Sequence, residues 1–410
     1  MQRLLKKDGS LLFAARILRL FAYGMLGVVL VLYLTGIGLT ESQAGLLLTL
    51  TLLGDTTVSL LLTTRADRLG RRWTLIGGAA LLTIAGIVFA LTKNFAVLVI
   101  AGTIGIISPS GNEVGPFLPI EQAALSQVVS SASRTKVFAW YVLAGSFATA
   151  GGSLFGGVAT SFLESTRRAP VDGQRTIVLL YAAVGLALVA VFSRLSRNVE
   201  VPRGRSSDGT PRLLGLALAK GVIIHLSALF ALDAFGGGFV VQSFAAYWFY
   251  SRFGVAPAAL GGIFFGANLL AGLSALLAPR LASRIGLVKT MVFTHLPSNV
   301  LLILVPMMPN LRLAVVVLLL RFSISQMDVP TRQSYVMAVV GPEERSAAAG
   351  ITGVARTTGA ALAPYFAGLL FARPALRSVP FFVAGTLKIV YDLLLYRAFV
   401  GVEPLDELHH

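Results

Sequence analysis

The amino-acid sequence contains no cysteine and has few charged residues. The absence of Cys from all 410 residues excludes a disulfide-stabilised scaffold and a thiolate metal site. Only 13% of the residues are charged, whereas a soluble globular protein carries about a quarter. By contrast, 56% of the residues are hydrophobic, and the mean hydropathy is +0.80. These values exclude a water-soluble globule and indicate a polytopic membrane protein.

The sequence also lacks the motifs of several enzyme and pump classes. It has four histidines, and none of them lies in an H-E-x-x-H zinc motif. There is no G-x-S-x-G nucleophile motif, no cluster of metal ligands and no glycine-rich phosphate loop. We therefore expect no intramembrane enzyme, no metal site, no cofactor and no ATP-driven pump.

Long apolar segments are abundant. A membrane-spanning helix needs about 20 mostly apolar residues, and the sequence contains twelve such segments. We therefore predict an all-α polytopic membrane protein with twelve transmembrane helices. The fourth and seventh segments are longer than one span requires. The predicted spans are 12–36, 43–64, 73–92, 95–129, 137–163, 175–196, 218–250, 257–280, 289–308, 312–340, 346–371 and 378–400.

Lysine and arginine are unevenly distributed among the loops. The chain has 34 of them against 18 acids, a net charge of +16. With the N-terminus in the cytoplasm, 20 fall on cytoplasmic segments, 8 on outer segments and 6 within spans. Because cytoplasmic loops are enriched in Lys and Arg, both termini are predicted to be cytoplasmic, with the arginines at 167–175 as the exception. Topology explains the basic excess, so no nucleic-acid partner is expected.

A charged stretch rich in Gly, Ser and Pro, residues 198–213, lies midway along the chain. It predicts a cytoplasmic linker between an N-terminal six-helix bundle (1–197) and a C-terminal six-helix bundle (214–410). Its basic residues could contact anionic lipid, although a solvated linker is the simpler interpretation.

The two halves are related in sequence. At an offset of 216 residues, the turn Gly38–Gly45 corresponds to Gly254–Gly261. At an offset of 211, the segment Pro119–Arg134 corresponds to Pro330–Arg345. The change of offset places extra residues within span four. Two six-helix repeats in parallel orientation place a binding site between them near the bilayer midplane, which favours a transporter over a duplicated scaffold.

The loop between spans two and three reads Thr63-Thr64-Arg65-Ala66-Asp67-Arg68-Leu69-Gly70-Arg71-Arg72. It resembles the G-x-x-x-D-R-x-G-R-R signature of the major facilitator superfamily, with Thr63 in place of the usual glycine. The twelve spans, the central linker and the duplicated halves agree, so the resemblance covers the whole chain. It implies the superfamily's fold, in which two pseudo-symmetric six-helix bundles carry out secondary transport.

The resemblance also implies roles for five loop residues: Asp67, Arg68, Gly70, Arg71 and Arg72. Gly70 permits a tight turn, Asp67 can accept from the N-terminal amides of a neighbouring helix, and the arginines supply charge. In the superfamily this loop latches the two halves together on the cytoplasmic side in the outward-facing state. A positive-inside loop with no gating role is the alternative.

Two further superfamily signatures are incomplete. The antiporter signature of span five ends in G-P-x-x-G-G, whereas this chain has Gly152-Ser153-Leu154-Phe155-Gly156-Gly157, without the proline. Small residues also serve the close packing of helices. Many drug antiporters carry an arginine within span four, where this chain has Gly105. Antiport is therefore only weakly supported, and these departures argue against the drug:proton group.

Charged residues within spans mark candidate pathways, because charge is costly in a bilayer. Span ten carries Arg321, Ser325, Asp328 and Arg332 at helical spacings, with Gln333 beside them. On one helix these residues form a polar stripe, which should face a water-filled cavity. The resemblance agrees, because spans one, four, seven and ten line the central cavity of the superfamily.

Span four carries Glu113, Glu121 and Gln122. The prolines in its 109–119 segment predict a broken or kinked helix whose freed backbone groups can bind solute. Glu121 and Arg332 are repeat partners of opposite sign, so we predict an ion pair between the halves that closes the cytoplasmic gate. A static packing pair within each half is the alternative.

The remaining candidates for the substrate and proton pathway lie in spans one, two and seven: Arg19, Asp55, Asp233 and Gln242. Arg19 could reach an anionic substrate, whereas Asp55 could equally be a structural acid. Lys388 and Asp392, four residues apart in span twelve, are expected to neutralise each other. Proton coupling requires a carboxylate whose pKa changes as the site changes access, and the sequence does not choose among the embedded acids.

The sequence thus predicts a secondary transporter that moves a small polar or amphipathic organic solute by proton-coupled efflux. The alternatives are a proton symporter importing an anionic or zwitterionic metabolite, and a membrane solute sensor or scaffold. We expect its partners to be the solute, protons and membrane lipid. We also expect a monomer in the cytoplasmic (inner) membrane.

Overall fold

The computed structural model describes residues 7–111, 115–129, 131–166, 169–200, 220–340 and 344–401. Within these ranges the chain is helical and has no β-strand. The helices are α1 (Lys7–Gly36), α2 (Glu41–Leu69), α3 (Arg71–Leu91), α4 (Phe95–Ile104), α5 (Phe117–Val128), α6 (Ser131–Thr166), α7 (Pro170–Ser193), α8 (Lys220–Gly238), α9 (Gln242–Phe253), α10 (Pro257–Ile285), α11 (Leu287–Leu304), α12 (Leu311–Phe322), α13 (Asp328–Ala338), α14 (Arg345–Phe371) and α15 (Val379–Phe399).

The predicted fold class, an all-α membrane protein with twelve spans, is confirmed. Nine of the predicted spans correspond to one helix each, and the fourth, seventh and tenth each correspond to a pair of shorter helices. By length and composition, nine helical stretches in the described ranges are able to cross a membrane. The fourth, tenth and eleventh spans are not among them. Each helix of the interrupted fourth and tenth spans is too short, and the eleventh span is the single helix α14.

The break in span four is the one that its prolines predict. Helix α4 ends at Ile104 and α5 begins at Phe117. Between them, Gly111 and Gly115 adopt positive φ angles of 69° and 81°, which non-glycine residues rarely adopt. Pro109 and Pro116 cannot donate a backbone hydrogen bond, so the helix does not continue through this segment.

The breaks in spans seven and ten differ in sequence. Span seven is interrupted after Gly236–Gly238, where consecutive glycines weaken the helix. Span ten is interrupted at 323–327, which are turns. Pro330 has no amide hydrogen to donate one turn back to Gln326, so the helix restarts only at Asp328. The predicted continuous stripe of span ten is therefore wrong, because Arg321 and Arg332 lie on different helices.

The described residues group into two compact units. The first consists of 1–206 together with Val241–Asn268, and the second of 207–240 together with 269–410. In the first unit α1 is central and packs against α6, α7 and α9. In the second unit α8 packs against α14 and α15, and α11 packs against α13 and α15. Most of the predicted linker, residues 201–213, lies outside the described residues, so the predicted domain boundaries stay a prediction.

Candidate functional site

In the first unit, a buried ion pair joins α1 to the second half of span four. Arg19 donates from Nη1 to Glu121 Oε1 over 2.5 Å and from Nη2 to Glu121 Oε2 over 2.8 Å. Both side chains are fully buried. The hydroxyl of Tyr141 also donates to Glu121 Oε2, and the guanidinium of Arg19 lies 4.6 Å from the ring centroid of Phe117. The pair is bidentate, the strongest arrangement for these two groups.

Glu121 and Arg332 each have a counter-charge within their own unit. Glu121 is paired with Arg19, whereas Arg332 is paired with Asp233 and Asp328. This is the arrangement expected from the alternative of a packing pair within each half. The ion pair between Glu121 and Arg332 is not required to neutralise either residue, and it stays a prediction.

A second polar cluster in the first unit consists of three uncharged side chains. Asn268 Nδ2 donates to Gln242 Oε1 over 3.1 Å and to Ser153 Oγ over 3.2 Å. Gln242 Nε2 donates to the same Ser153 oxygen over 3.2 Å. Gln242 begins α9, directly after the break in span seven, and lies beside Gly111 in the break of span four. The break in span seven therefore places the Gln242 side-chain amide among polar side chains of α6 and α10.

In the second unit, Asp233 is the centre of a buried charge cluster. Its Oδ1 accepts from Lys388 Nζ over 2.6 Å, and its Oδ2 accepts from Arg332 Nη1 over 3.1 Å. Arg332 also lies 3.3 Å from Asp328 Oδ2, one turn away on α13. Asp233 is 4% exposed. Spans seven, ten and twelve thus each contribute charge to one buried cluster.

His295 of α11 extends this cluster. Its Nε2 lies 3.7 Å from Asp233 Oδ1, and its Nδ1 lies 2.8 Å from Asp392 Oδ1. Asn299, one turn further along α11, donates from Nδ2 to Asp392 Oδ2 over 2.9 Å. The expected neutralisation of Asp392 by Lys388 is therefore wrong: Lys388 binds Asp233, because the two are brought together by the packing of α15 on α8.

The structure places the other predicted site residues as follows. Asp55 is buried on α2, and Gln122 is half-buried on α5. Arg321 is half-buried at the end of α12, with its guanidinium 4.8 Å from the ring centroid of Phe322. Gln333 is exposed on α13. Glu113 lies outside the described residues.

Sequence reasoning missed His295, Asn299 and Asn268. His295 and Asn299 are four residues apart in span nine, so both lie on one face of the helix. That spacing was a usable signal, because uncharged polar groups in a span also need partners. Asn268 lies in the predominantly apolar span eight, and the sequence gives no sign of its partners.

Comparison with known proteins identifies the family. A sequence profile of the Major Facilitator Superfamily matches residues 12–364. The chain belongs to the major facilitator superfamily. The uncharacterized membrane protein YJR124C of Saccharomyces cerevisiae is 31% identical over 426 aligned residues, which cover 97% of this chain and 95% of the yeast protein. The quinolone resistance protein NorA of Staphylococcus aureus is 26% identical over 252 residues, 60% of each chain.

Solved structures of superfamily members have the same fold. The nucleoside transporter NupG superposes with a TM-score of 0.77 at 14% identity, covering 96% of this chain and 99% of that protein. A D-xylose–proton symporter superposes with a TM-score of 0.73 at 16% identity, covering 95% and 97%. These structures show the fold, and the sequence profile identifies the chain as a superfamily transporter of some solute.

The superfamily signature loop is well defined in its backbone. Gly70 separates α2 from α3 with a φ of 94°, a backbone conformation that glycine adopts readily. The acid at the start of α3 is Glu200, which accepts from the backbone amides of Arg71 over 2.7 Å and Arg72 over 3.1 Å. Arg68 is exposed, and the side chain of Asp67 lies outside what the structure describes. Sequence reasoning did not single out Glu200.

The two arginines that end the superfamily signature bind backbone carbonyl groups. Arg71 donates from Nη1 to the carbonyl of Val199 over 3.3 Å, and Arg72 donates from Nη2 to the carbonyl of Ser193 over 2.6 Å. Both carbonyls lie at or just beyond the end of α7. The signature loop and the end of span six are thus held together within the first unit.

The glycines of the incomplete antiporter signature serve close packing. A methyl group on Gly152 would collide with the carbonyl of Phe21 on α1. One on Gly156 would lie 2.6 Å from the carbonyl of Met25, also on α1. These glycines let the backbones of α1 and α6 approach each other. They therefore serve helix packing, which is the alternative to a role in antiport.

Proposed function

We propose that this chain moves a small polar or amphipathic organic solute across the membrane by proton-coupled alternating access. One observation carries the proposal: the interrupted spans four, seven and ten contain buried charged groups, Glu121 on α5, Asp233 on α8 and Arg332 on α13. Ionisable residues within spans are costly, and in transporters they mark substrate and proton pathways. Interrupted helices supply the free backbone groups that bind solutes and ions.

The hydrogen bonds of the buried carboxylates support proton coupling in particular. Each unit holds a carboxylate with more than one donor: Glu121 accepts from Arg19 and Tyr141, and Asp233 accepts from Lys388 and Arg332. A carboxylate that exchanges such donors for a proton changes charge when its access changes. Buried acids of this kind can couple proton binding to a conformational change.

We infer that the direction is efflux. NorA, which is named for quinolone resistance, is a relative over 60% of the chain and favours export of an organic solute. Symport is the second candidate, because the arginines of both clusters, Arg19 and Arg332, suit an anionic or zwitterionic substrate. A sensor or scaffold would bind solute without moving it.

The distribution of basic residues supports insertion with both termini in the cytoplasm. We propose the cytoplasmic membrane as its location and the monomer as its functional form. We also propose that the basic cytoplasmic loops contact membrane lipid.

The deciding experiment is a flux assay in proteoliposomes that contain the full-length chain. A quinolone, a nucleoside and D-xylose serve as labelled probes, each under an inward, an outward and no pH gradient. The proposal expects a probe to move against its gradient when protons flow the opposite way. Movement in the same direction as protons establishes symport, and flux without any response to pH refutes proton coupling. Binding without flux identifies a sensor.

A matched pair of variants links the flux to the site. E121Q removes the charge of the buried acid and is expected to abolish gradient-driven movement. D172N changes an acid at the start of α7 that forms a half-exposed pair with Arg175, and it is expected to behave like the parent. Equal loss in both variants contradicts a specific role for Glu121.

A further inference from the structure

His295 lies between two carboxylates that belong to different helices. Its Nδ1 is 2.8 Å from Asp392 Oδ1 on α15, and its Nε2 is 3.7 Å from Asp233 Oδ1 on α8. The residue is 4% exposed. A neutral imidazole has one N–H and can donate to one of these acids, whereas an imidazolium donates to both. The position therefore suits a ring that gains and loses one proton.

The neighbouring hydrogen bonds favour one tautomer of the His295 ring. Asn299 donates from Nδ2 to Asp392 Oδ2, so the amide supports Asp392 as an acceptor. An ionised carboxylate only accepts, and its other oxygen lies 2.8 Å from His295 Nδ1. Asn299 Nδ2 also lies 3.1 Å from His295 Nδ1. With Asp392 ionised, the tautomer that donates from Nδ1 satisfies the 2.8 Å contact, and it leaves Nε2, which faces Asp233, as the position that takes up a proton.

Asp392 depends on His295 for a positive neighbour. Asp392 is fully buried, and within the described residues it has no lysine or arginine partner. Lys388, on the same helix, is bound to Asp233. Because a buried carboxylate without a counter-charge is costly, a proton on His295 stabilises this arrangement.

Titratable and charged groups on the helices packed against α11 surround His295. From α8 comes Asp233, from α13 come Asp328, Arg332 and Tyr335, and from α15 come Lys388, Tyr391 and Asp392. The ring of Tyr391 lies edge-on to His295, with the centroids 5.9 Å apart. Arg321 and Arg356 interact electrostatically with Asp233 and Asp328. Of these groups, only Asp392 and Asp233 face the ring nitrogens of His295 within 4 Å.

We propose that His295 is a proton-binding residue of the transport cycle. Its Nε2 takes one proton from water on one side of the membrane and returns it to water on the other, so that neutral imidazole and imidazolium alternate. This inference rests on the proposed proton-coupled function and names its coupling residue. Nε2 of His295 and Nζ of Lys388 face the same oxygen, Asp233 Oδ1. Proton binding therefore competes with Lys388 and weakens the contact of α8 with α15.

The first test needs no solute. Full-length protein with ¹⁵N-labelled histidine is placed in lipid nanodiscs, and its ring-nitrogen NMR signals are followed between about pH 5 and pH 8, where histidine changes charge. Comparison with H295N assigns the His295 signals. We expect a reversible titration at Nε2 whose midpoint moves in D392N. A ring that stays neutral, or stays charged, over the whole range overturns the proposal.

The second test measures coupling with the quinolone, nucleoside and D-xylose probes. H295N keeps a donor toward Asp392 but cannot bind a second proton, so it should lose accumulation driven by a pH gradient while keeping solute exchange at equal pH. H225N is the matched control, because His225 is an exposed histidine on α8 that contacts Phe399. H295Q, which places its amide closer to Nε2, replaces H295N if that variant does not fold.

The outcomes separate the two proposals. Gradient-driven accumulation that persists in both His295 variants refutes the role of His295 and leaves proton-coupled transport intact. A parent protein that moves none of the probes refutes the proposed function for these solutes. In that case the NMR titration still decides whether His295 binds a proton.

Discussion

Lys388 lies one helical turn from Asp392, yet its ammonium binds Asp233 on another helix, with Nζ and Oδ1 2.6 Å apart. The i,i+4 spacing on α15 permits the local pair, but it does not require it. Packing of α15 on α8 brings a buried acid within reach, and Asp233 already holds Arg332 on its other oxygen. The longer-range contact therefore joins the seventh and twelfth spans and leaves Asp392 to His295.

Removing the Asp233 carboxylate should strongly destabilise the second unit. D233N leaves Lys388 and Arg332 buried without one of their acids, and breaking a buried pair in this way costs about 3–5 kcal/mol. We expect a lower Tm in detergent, measured by scanning fluorimetry. The double variant D233N/K388M should recover part of that loss, because it removes one unpaired cation. A double variant as unstable as D233N contradicts the pairing.

Reversing Glu121 distinguishes its two candidate partners. E121R places a second cation beside Arg19 and should reduce both Tm and flux. If Arg19 is the functional partner of Glu121, E121R/R19E restores Tm and flux, whereas E121R/R332E does not. Rescue by E121R/R332E instead supports the predicted gate between the halves. Thermal stability and quinolone flux, measured on the same preparations, distinguish Arg19 from Arg332 as the partner of Glu121.

Two neighbouring glycines of α6 should respond differently to the same change. G152A introduces a methyl group that collides with the carbonyl of Phe21, so α1 and α6 must separate and Tm should fall. In G151A the nearest atom to the new methyl is Phe21 Cδ2, 4.0 Å away, which is an ordinary contact. G151A should leave Tm unchanged or raise it, since alanine favours a helix by about 1 kcal/mol over glycine. Equal effects would argue against close packing at Gly152.

Glu200 should protect the backbone amides in the first turn of α3 from hydrogen exchange. E200A removes the acceptor of the Arg71 and Arg72 amides, and loss of an N-terminal cap costs about 0.5–2 kcal/mol. Hydrogen–deuterium exchange of the peptide that contains these amides should become faster. E200Q keeps an acceptor oxygen without the charge, and its exchange rate should lie between those of E200A and the parent. Unchanged exchange in E200A contradicts the cap.

The sequence predicts the architecture well, because hydropathy and proline act locally. The twelve spans follow from apolar length alone, and the break of span four follows from prolines and glycines that prevent a regular helix. The tenth span shows the limit of this reasoning. Its polar residues have helical spacing, but spacing cannot show that the helix stops at Phe322 and restarts at Asp328.

The candidate site was predicted in part. Arg19 and Glu121 were both singled out, but their pairing joins residues 102 positions apart and depends on how α1 packs in the first unit. His295 was set aside because no metal or catalytic motif surrounds it. Its role follows only from Asp233 and Asp392, which two other helices bring to it. Local spacing gives no information about such contacts.

The interruption of span four has a consequence for how the protein is made. Two buried carbonyls of this break find their partners late: Tyr181 donates to the carbonyl of Ile106 from 75 residues further along, and the amide of Ser243 donates to the carbonyl of Pro109. Unpaired carbonyls are costly in hydrocarbon. A span four inserted alone would therefore leave these two carbonyls without their partners until α7 and α9 have been synthesised.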